Sequence, residues 1–175
     1  MQRTNWKEIF MTMACIMSMR SPDKSTKVGA VVVNESNVVL AMGYNGWCRG
    51  IEPWSDDDPR HERPLKYLHT EHAERNAIYN SARQGTSLEN CTMYVTLMPC
   101  MDCARAIVQV GITKVIVHQE GTDAYNEAYG FDEHRWTVDH AEAIQLFQDA
   151  GVELEWWSGK LLQPVAYFNK QEFNL

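Results

Sequence analysis

The sequence predicts an α/β fold in a single domain that spans residues 1–175. The chain has 175 residues, of which 45% are hydrophobic, so it can build one compact core and is too short for two. β-Branched residues dominate two short runs, 28–33 and 38–42, and the turn formers between them predict a β-hairpin. Further along, 91–97, 100–110 and 114–118 predict a strand, a helix and a strand, the order of a parallel crossover unit.

An amphipathic helix is predicted before the hairpin, at 6–19, because apolar residues recur at helical spacing and Thr4 or Asn5 can cap it. After the hairpin, the segment 45–70 carries glycines, prolines and an acidic run, so no regular structure is expected there. A loop of this length inside a compact domain is usually functional or disordered. The next helix is predicted at 71–83, where Gly85 can close its C-terminal end.

The last third of the chain gives weaker signals. The segment 121–137 is polar and aromatic without a clear period, and we expect a loop there. A final helix at 138–150 ends before Gly151, and the segment 152–157 predicts a strand.

Composition limits the possible partners and the compartment. A formal net charge of -7 and a pI near 5.3 give no basic field for a nucleic-acid backbone, although a few local cations could hold one phosphate. The five cysteines are an odd number, which argues against a secreted disulfide framework and favours the reducing cytoplasm. The stretch 1–19 has no continuous apolar run, so neither a targeting segment nor a membrane span is expected.

Two short motifs carry the chemistry of a metal site. His72 and Glu74 open one predicted helix, and Cys100 and Cys103 open the next. A helix N-terminus favours negative charge and hence thiolates over thiols. Two thiolates and one imidazole are a zinc ligand set, and three protein ligands leave the fourth tetrahedral position for water. Glu74 is then the carboxylate that takes a proton from this water, without being a ligand itself.

The Cys-x-x-Cys pair alone would equally suit a redox pair or half of a structural zinc site. The combination His-x-Glu with Pro-Cys-x-x-Cys is the known signature of zinc deaminases, and every specified position is filled here. A non-catalytic zinc-binding module would have no use for Glu74, so an intact Glu74 favours an enzyme.

Five short stretches between residues 28 and 118 form a recognisable set: Val28-Gly29-Ala30, Gly43-Tyr44-Asn45-Gly46, His72 to Ile78, Met93 to Thr96 and Pro99 to Cys103. With them the chain resembles the cytidine deaminase-like superfamily, and in detail the deoxycytidylate (dCMP) deaminase family. The resemblance implies a three-layer α/β/α fold with a central mixed sheet of about five strands. It implies conversion of dCMP to dUMP for thymidylate synthesis, in a homohexamer that dCTP activates and dTTP inhibits, with Mg²⁺ accompanying the triphosphate.

The resemblance also suggests substrate contacts. Asn45 matches the family asparagine that contacts the sugar, and Arg83 matches an arginine late in the zinc-site helix of phage members. A tyrosine is expected after the strand at 114–118, and Tyr125 is the candidate. For the phosphate, the basic connector before the first strand offers Arg20, Ser21 and Lys24.

Control by triphosphates is expected at Gly43, Tyr44, Gly46 and Trp47, because glycines let the backbone approach phosphates and the two aromatic rings can stack on a base. Only one zinc per chain is expected. The second, structural zinc of some phage members has a ligand spacing that Cys15, Cys48, His61 and His69 do not reproduce.

The alternatives within the superfamily are deaminases of tRNA adenosine, guanine or free cytidine. The acidic net charge argues against tRNA. The long loop before His72 favours an enzyme that acts on a nucleotide.

Overall fold

A computed structural model describes residues 3–51, 55, 57–129, 135–163, 165–168 and 171–174 of the chain. The elements in chain order are α1 (Trp6–Ser18), β1 (Gly29–Val33), β2 (Val39–Tyr44), β3 (Gly46–Trp47), a 3₁₀ turn (Pro59–His61), α2 (Lys66–His69), β4 (Thr70–Glu71), α3 (Ala73–Gln84), β5 (Thr92–Val95), α4 (Met101–Gln109), β6 (Lys114–His118), α5 (Gln119–Tyr129), α6 (Arg135–Asp149), β7 (Glu153–Trp157), β8 (Val165–Phe168) and β9 (Gln171–Asn174).

The central sheet has five strands in the order β2-β1-β5-β6-β7. Strand β1 runs antiparallel to both of its neighbours, and Val31 lies opposite Met42 on β2 and Tyr94 on β5. Strands β5, β6 and β7 are parallel. The sheet is therefore mixed, as expected, and combines the predicted hairpin with the predicted crossover unit.

Helices cover both faces of this sheet. On one face α1 packs Phe10 and Met11 against Val31, Tyr94 and their neighbours. The opposite face carries the larger core, where β-strand residues of β1, β5 and β6 meet α3, α4 and α6. Successive strand residues point to opposite faces, so Val31 and Val32 belong to different cores. The predicted three-layer α/β/α architecture is confirmed.

Helix α3 lies unusually close to strand β2. A Cβ placed on Gly43 would come 2.2 Å from the carbonyl oxygen of Ala73 and 2.4 Å from the nitrogen of Ala77. Only glycine fits this contact between a strand and the first turns of a helix. Gly43 therefore sets the distance between the sheet and the helix that carries Glu74.

The prediction of a loop at 121–137 is wrong over the described part of that segment. Helix α5 occupies Gln119–Tyr129, and α6 begins at Arg135, whereas 130–134 lie outside the described residues. The sequence shows no apolar helical period here, because the residues with which α5 packs against the rest of the protein are small. A Cβ on Gly121 would lie 2.7 Å from the oxygen of Thr96, and Thr122 is buried with its hydroxyl donating to the His118 oxygen.

The segment 45–70 is only partly irregular, which corrects the second loop prediction. Gly46 pairs with Glu71 and Trp47 with Thr70, so the two ends of the loop form a short antiparallel ladder. A 3₁₀ turn and the four-residue helix α2 lie between them. These elements are too short for a hydrophobic period, and the pairing joins residues far apart in sequence. Residues 52–54 and 56 lie outside the described part.

Beyond β7, the pair β8 and β9 forms a separate antiparallel ladder that the sequence did not predict. Within the described residues, no helix has the length and apolar character needed to cross a bilayer. The prediction that residues 1–175 form one domain stays a prediction.

Candidate active site

Three metal-binding side chains meet where two helices begin. His72 precedes the first residue of α3, and Cys100 precedes the first residue of α4, with Cys103 one turn further. The His72 Nδ1 atom lies 3.4 Å from the Cys100 sulfur and 3.5 Å from the Cys103 sulfur. Tetrahedral zinc with ordinary bond lengths separates its sulfur and nitrogen ligands by about 3.6 Å. The donor set and its spacing therefore fit zinc.

Within the described part of the chain, His72, Cys100 and Cys103 are the one group of three such side chains whose ligand atoms lie within 4.8 Å of one another. Their arrangement follows from the fold. The crossover connections of parallel strands place α3 and α4 side by side on one face, with both helix starts at the same edge of the sheet. The fold therefore brings His72 close to Cys100 and Cys103, although they are far apart in sequence.

The two thiols differ in acidity without metal. The pKa of Cys100 is lowered to about 4, because the Cys103 thiol and the His72 ring donate to its sulfur and outweigh the opposing effect of burial. The pKa of Cys103 is raised well above its ordinary value, because this thiol keeps the proton that it shares with Cys100 and because it is buried. A bound dication removes the proton from a coordinating thiol.

His72 and Glu74 also influence one another. Burial lowers the pKa of His72, but the contact with Cys100 and the charge of Glu74 outweigh it and raise this pKa to about 8. Glu74 has 4% of its surface exposed, and its burial raises the pKa of its carboxyl group. A carboxyl group that readily holds a proton in a dry site is suited to transfer protons in both directions.

Glu74, His72 and Cys100 line a partly enclosed cavity of about 90 Å³. Asn45 and Tyr125, two of the predicted substrate contacts, lie in the wall of the same cavity. The Asn45 side chain accepts a hydrogen bond from the Val28 nitrogen (2.7 Å) and donates one to the Thr26 oxygen (2.9 Å). This amide therefore also anchors the entry into β1.

The other predicted contacts lie elsewhere. Arg20 and Arg83 line a second cavity of about 650 Å³, together with Tyr44 and Trp47. Ser21 is buried and donates to the backbone oxygen of Asn45 (2.7 Å). The remaining positions are Lys24, which is exposed beside a small recess that Gly46 and Trp47 also line, and Gly43, which packs on α3.

Several lining residues of the Glu74 cavity were missed by the sequence analysis. Asp23 and Thr26 belong to the connector between α1 and β1. Lys66, which forms an ion pair with Asp23 at 2.8 Å, belongs to α2 in the long loop. His140 comes from α6. The connector, the long loop and helix α6 contain no recognisable sequence motif, so the sequence offered no reason to select these residues. The remaining missed residues that line the cavity include Arg63, Tyr67, Thr70 and Thr122.

Known proteins define the class of this chain. The family described as "Cytidine and deoxycytidylate deaminase zinc-binding region" matches residues 4–119. The chain belongs to this family, and it is a zinc-dependent hydrolytic deaminase.

Within the family, several curated relatives carry the name deoxycytidylate deaminase, as the sequence motifs predicted. The human deoxycytidylate deaminase is 37% identical over 169 residues, which cover 94% of this chain and 86% of that protein. An uncharacterized deaminase of Aliivibrio fischeri is 37% identical over 153 residues, covering 87% of this chain and 94% of that one. The crystal structure of dCMP deaminase from cyanophage S-TIM5 in complex with dCMP and dUMP has a TM-score of 0.66 at 28% identity, covering 90% of this chain and 100% of that chain.

Proposed function

We propose that the chain hydrolyses dCMP to dUMP and ammonia, and so supplies dUMP for thymidylate synthesis. The observation that carries this proposal is the buried Glu74 carboxyl in one cavity with His72 and Cys100. Relatives that carry the deoxycytidylate deaminase name cover most of the chain and support the choice of substrate.

His72, Cys100 and Cys103 would hold one zinc ion, which supplies an activated water when bound. In the proposed mechanism, Glu74 accepts a proton from the attacking water and passes it to N3 of the cytosine ring, while the water oxygen bonds to C4. Glu74 then moves the remaining hydroxyl proton to the amino group, so the C4–N bond breaks, ammonia leaves and C4 becomes a carbonyl carbon. Excluding bulk water from the cavity strengthens the interactions of these charges.

Replacing Glu74 tests the mechanism. The Glu74→Ala enzyme should keep its zinc and lose several orders of magnitude in turnover, because both proton transfers lose their agent. Glu142→Ala, an exposed position on α6, is the matched control and should behave like the wild type. Measured ammonia release and zinc content decide, and near-normal turnover by pure Glu74→Ala contradicts the assignment.

We also propose that the substrate's sugar and phosphate are recognised in the Glu74 cavity. Asn45 and Tyr125 remain the proposed contacts from the sequence, and Arg63 brings positive charge to the same wall, where Lys66 is paired with Asp23. The buried hydroxyl oxygen of Thr26 has no hydrogen-bonding partner among the described residues, which suits a contact with a polar substrate group.

The assay compares specificity constants for dCMP, CMP, deoxycytidine and tRNA. A charge-assisted contact contributes about 1.5 to 3 kcal/mol, so the specificity constant for dCMP should exceed that for deoxycytidine by at least about tenfold. Thr26→Val and Arg63→Gln should each reduce this preference. If Arg20→Gln removes the preference and Arg63→Gln keeps it, the phosphate contact belongs to the basic connector. Equal constants for dCMP and deoxycytidine refute phosphate recognition.

Regulation is proposed at the second cavity. Arg20 and Arg83 could bind a triphosphate there, accompanied by Mg²⁺, while Tyr44 or Trp47 stacks on the base. Asn45 lies between these two aromatic residues in sequence but faces the Glu74 cavity, so the segment 44–47 touches both cavities. If the segment has two arrangements, an effector that binds one of them more tightly shifts the equilibrium toward it, by as much as its two affinities differ.

Saturation curves with dCMP and magnesium test this proposal. Sigmoidal curves that dCTP makes hyperbolic and dTTP suppresses support it, and Arg83→Gln should weaken both responses. Measuring the mass of the assembly in solution tests the proposed homohexamer in the same samples. Hyperbolic curves that ignore both nucleotides, in an oligomer of confirmed size, contradict regulation. The cytoplasmic location predicted from the cysteines remains a proposal.

A further inference from the structure

Helix α4, which carries both cysteines, does not cap its own N-terminus with a side chain. Its N-cap residue is Cys100, and this side chain makes no capping hydrogen bond to the helix backbone. The first helical residue, Met101, lies between the two cysteines, and its N–H needs a partner from elsewhere.

That partner comes from helix α6. The Asp139 carboxylate accepts a hydrogen bond from the Met101 nitrogen at 2.8 Å, across 38 positions of sequence. Asp139 lies beyond residue 119, where the family match ends. A carboxylate is a strong acceptor for helix-terminal N–H groups, and the dipole of the helix favours its charge there. Helix α4 thus obtains its cap from a different element.

We propose that Asp139 is a positioning residue for the zinc site, because it fixes the first turn of α4 and with it the separation of Cys100 and Cys103. This inference rests on the proposed ligand set. Without the Asp139 acceptor the Met101 N–H keeps no partner among the described residues, the first turn loosens, and the two sulfurs must be brought into place when the metal binds. Partners one step behind metal ligands typically change metal affinity by about 10- to 100-fold.

The same turn of α6 reaches the Glu74 cavity. His140, the next residue, lines the Glu74 cavity, and its burial lowers the pKa of its imidazole. The helix therefore contacts both the cysteine turn and the cavity wall. Loss of the Asp139 contact should therefore displace the first turn of α4 and the cavity wall at His140 together.

Zinc affinity is the direct readout, measured by competition with a chromophoric chelator. Asp139→Ala should bind zinc about 10- to 100-fold more weakly than the wild type. Asp139→Asn keeps an acceptor oxygen and should stay within about threefold of the wild type. Glu142→Ala, exposed on the same helix, should leave the affinity unchanged. Wild-type affinity in Asp139→Ala overturns the inference, and so does an Asn variant as weak as the Ala variant.

A second test removes the donor instead of the acceptor. Proline lacks an N–H and is well tolerated at the first helical position, and the extended backbone of Cys100 (φ -72°, ψ 169°) suits a residue before proline. In a Met101→Pro background, Asp139→Ala should cause no further loss of affinity. In a Met101→Ala background, which keeps the N–H, the loss should persist. Equal losses in both backgrounds show that Asp139 acts by another route and overturn the inference.

His72→Ala separates this inference from the proposed ligands. If His72→Ala keeps wild-type zinc affinity, the ligand set is wrong and the role of Asp139 falls with it. If His72→Ala loses zinc while Asp139→Ala does not, the ligand set stands and the Asp139 inference alone is overturned.

Discussion

The ion pair of Asp23 and Lys66 joins the connector before β1 to the long loop. Their side chains are 8% and 9% exposed, the charged atoms lie 2.8 Å apart, and Lys66 also donates to the Ser25 hydroxyl at 2.6 Å. Both residues line the Glu74 cavity. The pair therefore holds part of the loop against the Glu74 cavity.

Removing one charge of this pair should destabilise the protein. Asp23→Asn leaves the Lys66 ammonium buried without its counter-charge, and such losses cost about 3 kcal/mol or more. Glu153→Gln is the control, because Glu153 is 64% exposed in its pair with Lys114 and should cost less than about 1 kcal/mol. Denaturant unfolding of the three proteins measures both values. Equal effects of the two substitutions contradict the argument.

The Asp23 contribution should also depend on pH. Burial acts to raise the pKa of Asp23, but hydrogen bonds from Lys66 and from the Thr26 and Ser25 backbone outweigh it, so this pKa is lowered in the folded protein. A carboxyl group whose pKa is lowered by folding stabilises the folded state. This contribution is complete above the pKa of the unfolded chain, about 3.9, and it disappears as the pH falls through the pKa of the folded protein. Unfolding free energies of wild type and Asp23→Asn should therefore converge below about pH 4. A constant difference down to pH 2.5 rejects this origin.

At the scale of single residues, the sequence predicted the positions with a motif. His72, Glu74, Cys100 and Cys103 have fixed spacing and a chemistry that explains it. Asp23 and Lys66 are separated by 43 positions and belong to no pattern, so only the folded chain brings them together. Arg20, predicted as a phosphate contact, and Arg83, predicted from the resemblance, both line the second cavity, and their contact with the substrate stays a prediction.

At the scale of elements, β2 and α3 are in close contact at Gly43. Gly43→Ala puts a methyl group against backbone atoms of Ala73 and Ala77, which cannot rotate away. We expect a loss of about 1 to 3 kcal/mol and a fall in turnover, because α3 carries Glu74 and would be displaced. Met42→Ala, the partly exposed neighbour on β2, is the control. Unchanged stability and turnover in Gly43→Ala would show that the helix has room to move.

The elements predicted correctly are those with a local signal. The hairpin and the crossover unit follow from β-branched runs and their spacing, and Asn5 caps α1 by accepting from the Lys7 nitrogen at 2.9 Å. Helix α5 was missed because it rests on Gly121 and Thr122 and lacks a stripe of large apolar residues. Its support is tertiary, and a sequence window does not contain it.

At the scale of the whole molecule, the proposed metal site joins two parts of the fold. His72 belongs to the helix that packs on the hairpin, and the cysteines belong to the crossover helix. Binding zinc should therefore stabilise the entire chain, by about 4 kcal/mol when free zinc exceeds its dissociation constant a thousandfold. Calorimetry with and without a chelator measures the shift. His72→Ala should show almost none, and an equal shift in that variant would place the metal elsewhere.

The overall architecture was foreseeable, whereas the location of the second cavity was not. A hairpin followed by a crossover unit permits few arrangements of the sheet. The second cavity is formed by β2, α3 and the long loop together. Tyr44 and Trp47 are close in sequence and were predicted together, whereas Arg83 lies on a different helix, and no local pattern brings these segments to one cavity.

The hairpin turn at residues 34–38 lies at the opposite end of β1 from the site. Val33 pairs with Thr92 at the start of β5, whereas the cavity is lined by Leu97 and Met98, which follow the end of that strand. The turn is exposed and organised locally by the Asn34 side chain, which accepts from the Ser36 and Val38 nitrogens. Exposed turns of this kind tolerate insertions. A fluorescent peptide tag inserted after Ser36 should thus serve as a handle for immobilisation and single-molecule observation, with zinc content and ammonia release unchanged.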